Sequence, residues 1–368
     1  MDDARPASRS WLTMVAMTRR PVWLSEERRD AGLVVPLPCD PTGVMGPTEK
    51  QARGPHWRRS SRGLYVPEYV DSSVVEQRIV EAAARLPLEG SVTGWASLRW
   101  RGAEWFTGLD RDGRTPLPVP LAIPTGDIRP QPGIAISEEG MRLRDIELFD
   151  GIWLTSACRS VLFEVRHART VETAVEVLDM AAYSDLVSIA EMAAHAAAAG
   201  PVTGILRARK ALALAEENSW SPRETGFRLV WERGAGRPRP LCNVPVFDLA
   251  GRHLATPDLL DPEAGVMGEY EGSVHLTSAR RGSDVRREAQ LRDVGLEGVT
   301  MTSTDLAGTD ALVARIDAAY GRASRLDRSA RAWTTTRPPW WVDTDTVAAR
   351  RALSSADRER LLRYRRAS

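Results

Sequence analysis

The stretch Thr256–His275, TPDLLDPEAGVMGEYEGSVH, decides the expected fold. Asp258 opens a short apolar run, the Pro-Glu-Ala-Gly segment at 262–265 predicts a turn, and a second apolar run ends at Glu269-Tyr270-Glu271. Because side chains alternate along a strand, the two glutamates project to the same side. If the two runs pair as a hairpin, Asp258 approaches that side from the neighbouring strand.

Carboxylates that converge at one strand end predict a cation site. Carboxylates that lie close together repel one another unless a cation lies among them. Oxygen ligands with room for water suit Mg²⁺, and carboxylates also suit Mn²⁺. The residues therefore predict a site for metal-assisted phosphodiester cleavage.

The flanking sequence predicts the order helix, three strands, helix, strand, helix. Ser221 is a predicted N-cap, Pro222 a first helical residue and Glu224 the third position of a capping box. The further predicted elements are a strand at Cys242–Phe247, a helix at Asp284–Asp293, a strand at Val299–Ser303 and a helix at Asp310–Tyr320.

This order, with Glu224, Asp258 and Glu269, resembles the PD-(D/E)XK nuclease fold over residues 219–321. The branch it is most similar to is the very-short-patch-repair endonuclease-like domains, in which an acid, an EYDG-like strand end and a nearby His recur. The resemblance implies a Mg²⁺ or Mn²⁺ site at Asp258 and Glu269, assisted by Glu224. It also places Glu271 and His275 in the catalytic site.

The chain departs from this family where the family has a Lys. Glu271 occupies that position, and the only lysines in the chain are Lys50 and Lys210. His275 is the only nearby candidate for the role that the missing Lys has in the family. The departure puts catalysis in doubt more than the fold.

A second resemblance starts at Pro47–Pro67, PTEKQARGPHWRRSSRGLYVP. The segment predicts a basic β-ribbon that turns at arginines, similar to the wing of a winged helix and to the RRGVYVP-type stretch of actinobacterial AbiEi-family antitoxins of type IV toxin–antitoxin systems. An ordinary basic hairpin that packs on the middle domain is an equally open interpretation. The candidate phosphate-binding residues are Arg58, Arg59 and Arg62, with Arg286 and Arg287 on the predicted polar helix.

The expected fold is α+β with an α/β part. It has a partial winged-helix-like N-terminal region, a mixed helical middle domain and a C-terminal restriction-endonuclease-like mixed sheet flanked by helices. Asp150-Gly151, between apolar runs of the middle domain, predicts a hairpin turn. The expected regions are a disordered or extraneous segment at 1–46, the wing-like ribbon at 47–72, an antitoxin-like middle domain at 73–217, the nuclease-like domain at 219–321, and a basic tail at 322–368.

The tail contains the adjacent residues Trp340 and Trp341, which either stack on nucleic acid or dock on the body of the protein. We favour docking, because two adjacent tryptophans are costly to leave exposed.

Composition sets broad bounds. A net charge of +1 means that any nucleic-acid surface must be a local patch. Cys39, Cys158 and Cys242 lie far apart, which predicts neither a zinc site nor a disulfide framework and fits a cytoplasmic protein. No apolar run approaches transmembrane length, so no membrane partner is expected.

Two classes of function stay open at this point. One is a Mg²⁺-dependent DNA endonuclease-like enzyme. The other is a non-catalytic antitoxin-type regulator that uses a degenerate nuclease fold to bind DNA, with a cognate toxin or self-association as further partners.

Overall fold

The computed structural model contains helices and short strands and describes residues 19–124, 128, 131–272, 287 and 289–363, without the side chain of Leu143. The chain divides into two compact units between Glu164 and Val165. Both units combine helices with sheets, so the predicted mixture of α and β structure is confirmed. The division falls inside the predicted middle domain at 73–217, whose later helices belong to the C-terminal unit. Within the described ranges, no helix is long and apolar enough to cross a membrane.

A five-stranded mixed sheet forms the centre of the N-terminal unit, in the order β5-β4-β3-β7-β6. Helices α3 and α4 contribute buried side chains to its core, including Ile79, Leu98 and Trp100. In chain order, the elements of this unit are α1 (Glu26–Asp30), α2 (Glu49–Ala52), β1 (Trp57–Ser61), β2 (Leu64–Pro67), α3 (Val75–Ala83), β3 (Ser91–Val92), α4 (Gly94–Trp100), β4 (Val119–Ala122), β5 (Ile134–Ser137), β6 (Ile146–Phe149) and β7 (Ile152–Thr155). Helix α5 (Ala157–His167) crosses the division.

The predicted turn at Asp150-Gly151 is confirmed, since it joins the antiparallel strands β6 and β7. Both turn residues have positive φ, 43° and 80°, as the favoured two-residue hairpin turns require. Glycine is needed at 151 for a second reason, because a Cβ there would lie 1.6 Å from the carbonyl oxygen of Trp23.

The expectation that residues 1–46 lack stable packing is wrong for residues 19–46, while residues 1–18 lie outside the described residues. Leu24 and Leu33 are buried. Arg28 forms an ion pair of 2.7 Å with Asp150 and donates to the carbonyl of Trp100. The sequence pattern does not predict this packing, because a few separated residues anchor the segment rather than a periodic apolar face.

The predicted basic ribbon is present as the antiparallel pair β1 and β2, joined at Arg62 and Gly63. Leu37 pairs with Tyr65 through two hydrogen bonds of 2.8 Å, so the N-terminal segment lies beside the ribbon. The helix before it, α2, has four residues.

The C-terminal unit contains two further sheets. One has the order β13-β12-β11-β8, with β12 and β13 parallel and the other pairs antiparallel, and the second has the order β10-β9-β14. In chain order, the elements are α6 (Val171–Tyr183), α7 (Ile189–Ala198), α8 (Ile205–Leu212), α9 (Pro222–Leu229), β8 (Leu241–Cys242), β9 (Val246–Asp248), β10 (His253–Ala255), β11 (Leu259–Asp261), β12 (Val266–Glu271), β13 (Glu297–Thr302), α10 (Asp310–Ala323), β14 (Trp333–Thr334), α11 (Val347–Arg351) and α12 (Ser355–Leu361). Residues 287 and 289–293, before β13, are also helical.

The four-stranded sheet is buried on both faces. Helices α9 and α10 cover one face, where Phe227 and Ile316 pack with Leu259 and Val266. Leu260 and Met267 point to the other face and pack with Trp333. The two faces follow from the alternation of side chains along β11 and β12.

The single strand predicted at Cys242–Phe247 is wrong. The chain forms two shorter strands, β8 and β9, which belong to different sheets. Asn243 separates them with a left-handed φ of 48°, a conformation that Asn adopts more readily than most residues. Pro245 follows, and its missing N–H cannot support a continuous ladder.

The C-terminal segment docks on the unit through Trp341 and Arg350, as the favoured alternative predicts, whereas Trp340 is 60% exposed. The buried Arg350 forms an ion pair of 2.6 Å with Asp185. Trp341 lies against Phe247, with ring centroids 5.1 Å apart, and stacks on His253 at 5.5 Å.

Candidate acidic site in the C-terminal unit

The hairpin of β11 and β12 places Asp258 opposite the acidic end of β12. Leu259 pairs with Gly268, so the antiparallel register puts Asp258 beside Glu269. The Asp258 carboxylate accepts the backbone N–H of Tyr270 at 2.6 Å. This bond fixes the side chain at the strand end, as the spacing of the two apolar runs predicts.

Glu269 and Glu271 lie two residues apart on β12, and Glu271 is exposed. Glu269 is partly buried and forms an ion pair of 2.8 Å with Arg287. Arg287 was predicted to bind nucleic acid, and the structure places its guanidinium against the acidic site. His275 and Arg286 lie outside the described residues.

Glu224 reaches the same region from the first turn of α9. The Ser221 hydroxyl accepts the backbone N–H of Glu224 at 3.2 Å, as the predicted cap requires. The buried Glu224 carboxylate accepts three hydrogen bonds, from the Ser221 hydroxyl and the Trp220 backbone N–H and from the Asn243 amide at 2.8 Å. Burial raises its pKa above the ordinary value, and these bonds oppose the rise.

The negative charges of the other two acids both act on Asp258. Burial of its carboxyl group, followed by the negative charge of Glu224 and then that of Glu269, raises the pKa of Asp258 to about 8. The Tyr270 N–H and the Arg287 charge partly oppose this rise. A cation at this point would oppose both the burial and the repulsion that keep Asp258 protonated.

The donor set fits a hard divalent cation held by few protein ligands. Mg²⁺ binds through one or two carboxylates and keeps several waters, which matches Asp258 and the partly exposed Glu269. Glu224 is less suited to direct ligation, because its two oxygens already accept three hydrogen bonds. Among the described residues, no group of three or more His, Cys, Asp or Glu side chains is arranged to hold a metal ion.

Asn243 is a member of the site that sequence reasoning missed. Its amide donates to Glu224 and to the carbonyl of Asn218, and its backbone N–H donates to the carbonyl of Asp258. Its Oδ1 is buried and has no hydrogen-bond partner in the described part of the chain. The available signal was an Asn two residues before a Pro at the end of an apolar run, which indicates a break in the strand rather than a site.

The three ribbon arginines that were predicted to bind phosphates differ in how exposed they are. Arg58 forms an ion pair of 2.6 Å with Glu81 and is largely covered. Arg59 and Arg62 are exposed. The pKa of Arg85 is lowered by burial and then by the positive charges of Arg19 and Arg62. Arg19, Arg62 and Arg85 therefore form a local positive patch, hereafter the ribbon patch.

No family model matches this chain, and neither a curated protein nor a solved structure matches it.

Proposed function

We propose that this chain is a DNA-binding protein whose C-terminal unit carries a Mg²⁺-dependent endonuclease-like site. The observation that carries the proposal is the position of Asp258 beside Glu269 at the strand end, where its carboxylate accepts the Tyr270 N–H at 2.6 Å. Burial and the charges of Glu224 and Glu269 also raise its pKa. Strongly perturbed carboxyl groups with identified charged neighbours are typical of functional sites. We assign the unit to the PD-(D/E)XK nucleases, with very-short-patch-repair endonuclease-like domains as the nearest branch.

In the proposed mechanism, Asp258 and Glu269 would hold the cation and Glu224 contributes negative charge to the site. When bound, Mg²⁺ supplies Lewis-acid stabilisation of the phosphate and activation of water. Asp258 must lose its proton to act as a ligand, and the Tyr270 N–H stabilises the resulting carboxylate. Glu224, fixed by its three hydrogen bonds, keeps the local charge negative.

Arg287 compensates in part for the missing Lys. The family has a Lys where this chain has Glu271. Arg287 brings a positive charge to the same strand end from the helical segment before β13. Since guanidinium groups pair well with phosphate oxygens, Arg287 can exchange its contact with Glu269 for a contact with a DNA phosphate.

A non-catalytic antitoxin-type regulator is the second candidate. The ion pair between Glu269 and Arg287 favours it, because that pair neutralises Glu269 without a metal. In this alternative, the fold binds DNA and docks a cognate toxin or a second copy of the chain.

A plasmid-cleavage assay with Mg²⁺ or Mn²⁺ tests the enzymatic proposal. We expect nicking or linearisation by the wild type and a loss of at least ~100-fold, two powers of ten in rate, in Asp258→Asn and Glu269→Gln. Glu263→Gln is the matched control, because Glu263 is an exposed acid at the opposite end of the same hairpin. Cleavage that persists in Asp258→Asn, or no cleavage by the wild type, would overturn the enzymatic proposal. DNA binding without cleavage would favour the regulator.

Calorimetry gives a second readout of the metal site. A metal that binds only the folded protein stabilises it by about 2.7 kcal/mol at one hundred times its dissociation constant. We expect this stabilisation in the wild type and in Glu263→Gln, and not in Asp258→Asn. The same shift in all three proteins would place the cation elsewhere.

A further inference from the structure

Three arginine side chains from separate segments of the N-terminal unit meet at the ribbon patch. Arg19 forms an antiparallel backbone bridge with Pro87, and Arg85 lies two residues before Pro87 on the same segment. The Arg85 guanidinium donates to the backbone carbonyl of Arg62, at the turn of the ribbon, over 2.9 Å. The backbone and side-chain contacts therefore hold three positive charges in one place.

The ribbon patch has no counter-ion among the described residues. The neighbouring Arg58 is paired with Glu81 at 2.6 Å, but none of the three patch arginines forms an ion pair with a carboxylate in the described part of the chain. Arg20, which follows the first patch arginine, stacks on Trp153 at 3.8 Å and is influenced by the exposed Glu89. The positive charge of the patch is therefore unbalanced within the described ranges.

Two of these guanidinium groups are partly withdrawn from water. Arg19 and Arg85 are partly buried, whereas Arg62 is exposed. Burial lowers the pKa of Arg19, and burial followed by the charges of Arg19 and Arg62 lowers the pKa of Arg85. Partial burial of an unpaired charge and repulsion between like charges both cost free energy. An anion bound among the three groups would offset both costs.

The charge of the ribbon patch selects the kind of anion. A guanidinium group presents its N–H donors in a planar fork that matches phosphate oxygens. A phosphodiester carries one negative charge, whereas a phosphate monoester carries nearly two at neutral pH and offers three acceptor oxygens. Three unbalanced positive charges therefore favour the monoester. Because Arg62 is exposed, the group attached to the phosphate can stay in water.

We propose that the ribbon patch is a discrete site for one phosphate monoester group, bound by the side chains of Arg19, Arg62 and Arg85. The terminal phosphate of a DNA strand is the source that the proposed function supplies, which makes DNA with phosphorylated ends the preferred substrate. This assignment of the source rests on the proposed DNA binding and deepens it. The site itself needs only phosphate chemistry, so a small phosphate monoester should bind as well.

Thermal unfolding of the full-length protein with phenyl phosphate tests the site without DNA. A ligand that binds only the folded state raises the melting temperature with concentration, which gives its dissociation constant. We expect phenyl phosphate to bind the wild type about tenfold more tightly than the monoanion dimethyl phosphate at equal ionic strength, a difference of about 1.4 kcal/mol. The preference should shrink as the pH falls below about 6, where the monoester gains a proton.

The variants separate the ribbon patch from general effects of charge. Arg62→Gln and Arg85→Gln should each lose most of the response to phenyl phosphate. Arg62→Gln keeps the backbone carbonyl to which Arg85 donates, so it changes the charge of the patch without removing that contact. Arg53→Gln is the matched control, because Arg53 lies in the same unit and its side chain is 82% exposed. Each variant is compared with itself without ligand, so a change in the stability of the fold does not affect the result.

Short DNA duplexes test the source of the phosphate. One duplex carries phosphates at both 5′ ends, a second carries them at both 3′ ends, and a third has hydroxyl groups at all ends. We expect the wild type and Arg53→Gln to bind at least one phosphorylated duplex about tenfold more tightly than the unphosphorylated duplex, which corresponds to about 1.4 kcal/mol. Arg62→Gln and Arg85→Gln should lose this preference.

Each outcome has a distinct meaning. No response of the wild type to phenyl phosphate, or the same response in Arg62→Gln and Arg85→Gln, overturns the site and leaves DNA binding standing if the duplexes bind. A response that is also lost in Arg53→Gln overturns it too, because net charge then governs binding. A specific response without a preference for phosphorylated ends supports the site and overturns DNA ends as its ligand. If no duplex binds, the proposed DNA binding is wrong, and a specific response to phenyl phosphate still supports the site.

Discussion

At the scale of single residues, the raised pKa of Asp258 makes the free energy of unfolding depend on pH in a defined direction. In metal-free protein its pKa is about 8, against about 4 for an unfolded Asp. Between these values the folded state holds more protons than the unfolded state, so the free energy of unfolding falls as pH rises towards 8 and then levels off. Asp258→Asn removes the titration and should gain stability relative to wild type from about pH 5 to about pH 8.

Urea unfolding in EDTA at several pH values measures this difference. The slope is at most about 1.4 kcal/mol per pH unit, and it is shared with Glu224, because strongly interacting acids titrate together. Asp40→Asn is the control, because hydrogen bonds from Thr42 and Met45 lower the pKa of Asp40 to about 2. The difference in the free energy of unfolding between this variant and the wild type should therefore stay constant over this pH range. A constant offset for Asp258→Asn as well would mean that Asp258 has an ordinary pKa.

A second residue-scale prediction concerns the buried ion pair between Asp179 and Arg228. Both side chains are fully buried and lie 2.8 Å apart. Asp179→Asn keeps the shape but leaves the guanidinium with Glu232 as its one carboxylate partner among the described residues. We expect a loss of about 3 kcal/mol in the free energy of unfolding. The exposed pair of Arg233 and Glu172 is the comparison, since Glu172→Gln should cost less than about 1 kcal/mol. Similar losses for both variants would show that the buried ion pair contributes no more to stability than the exposed pair.

At the scale of elements, the packing of α9 against β12 depends on Gly268. A Cβ at this position would lie 2.6 Å from the Phe227 ring. Gly268→Ala should therefore cost about 1–3 kcal/mol through overpacking. Gly298→Ala on the neighbouring strand is the matched control, because its Cβ would meet only the end of Met267, at 3.7 Å. Thermal unfolding decides between them, and an unchanged melting temperature for Gly268→Ala would mean that α9 shifts without cost.

The second element-scale prediction concerns the packed segment at 19–46. Its anchors, Leu24 and Leu33, are buried. Leu33→Ala should cost about 2–3 kcal/mol, which corresponds to several degrees in the melting temperature. Val44→Ala, at a residue that is 80% exposed, should change the free energy of unfolding by less than about 0.5 kcal/mol. If the Leu33 variant is also neutral, the segment does not stabilise the fold.

Local signals account for the elements that could be predicted. The hairpin that carries Asp258 follows from a turn at Gly265, whose φ is 70°, between two apolar runs. The cap at Ser221 and the turn at Asp150-Gly151 likewise involve residues within a few positions of one another. The chain needs no distant partner to form them, so residue type and spacing are sufficient.

At the scale of the whole molecule, contacts between separate elements form that the sequence does not predict. The ion pair of Arg287 with Glu269, the packing of residues 19–46 and the contacts of Trp341 with Phe247 and His253 all join segments distant in sequence. The spacing of these residues carries no signal of their proximity, because it arises only when separate elements pack. The same reasoning explains Arg58, which looks free in the sequence but is paired with Glu81 of α3.

A net charge of +1 requires DNA binding, as we propose it, to be local. The ribbon patch and the neighbouring exposed Arg59 are the places in the N-terminal unit where we expect the protein to bind phosphates. Replacing Arg59, Arg62 and Arg85 with Gln should reduce the salt dependence of DNA affinity. The log–log slope should fall by about 0.9 for each phosphate that the variant no longer neutralises.

The control variant replaces Arg53, Arg233 and Arg252 with Gln. Each has a side chain that is at least 53% exposed, and the change in net charge is the same as in the ribbon variant. Fluorescence anisotropy over a salt series should show a reduced slope for the ribbon variant and an unchanged slope for the control. If both slopes fall equally, net charge rather than the ribbon governs binding. If neither slope changes, the protein binds phosphates elsewhere, and Arg287 in the C-terminal unit is the next candidate.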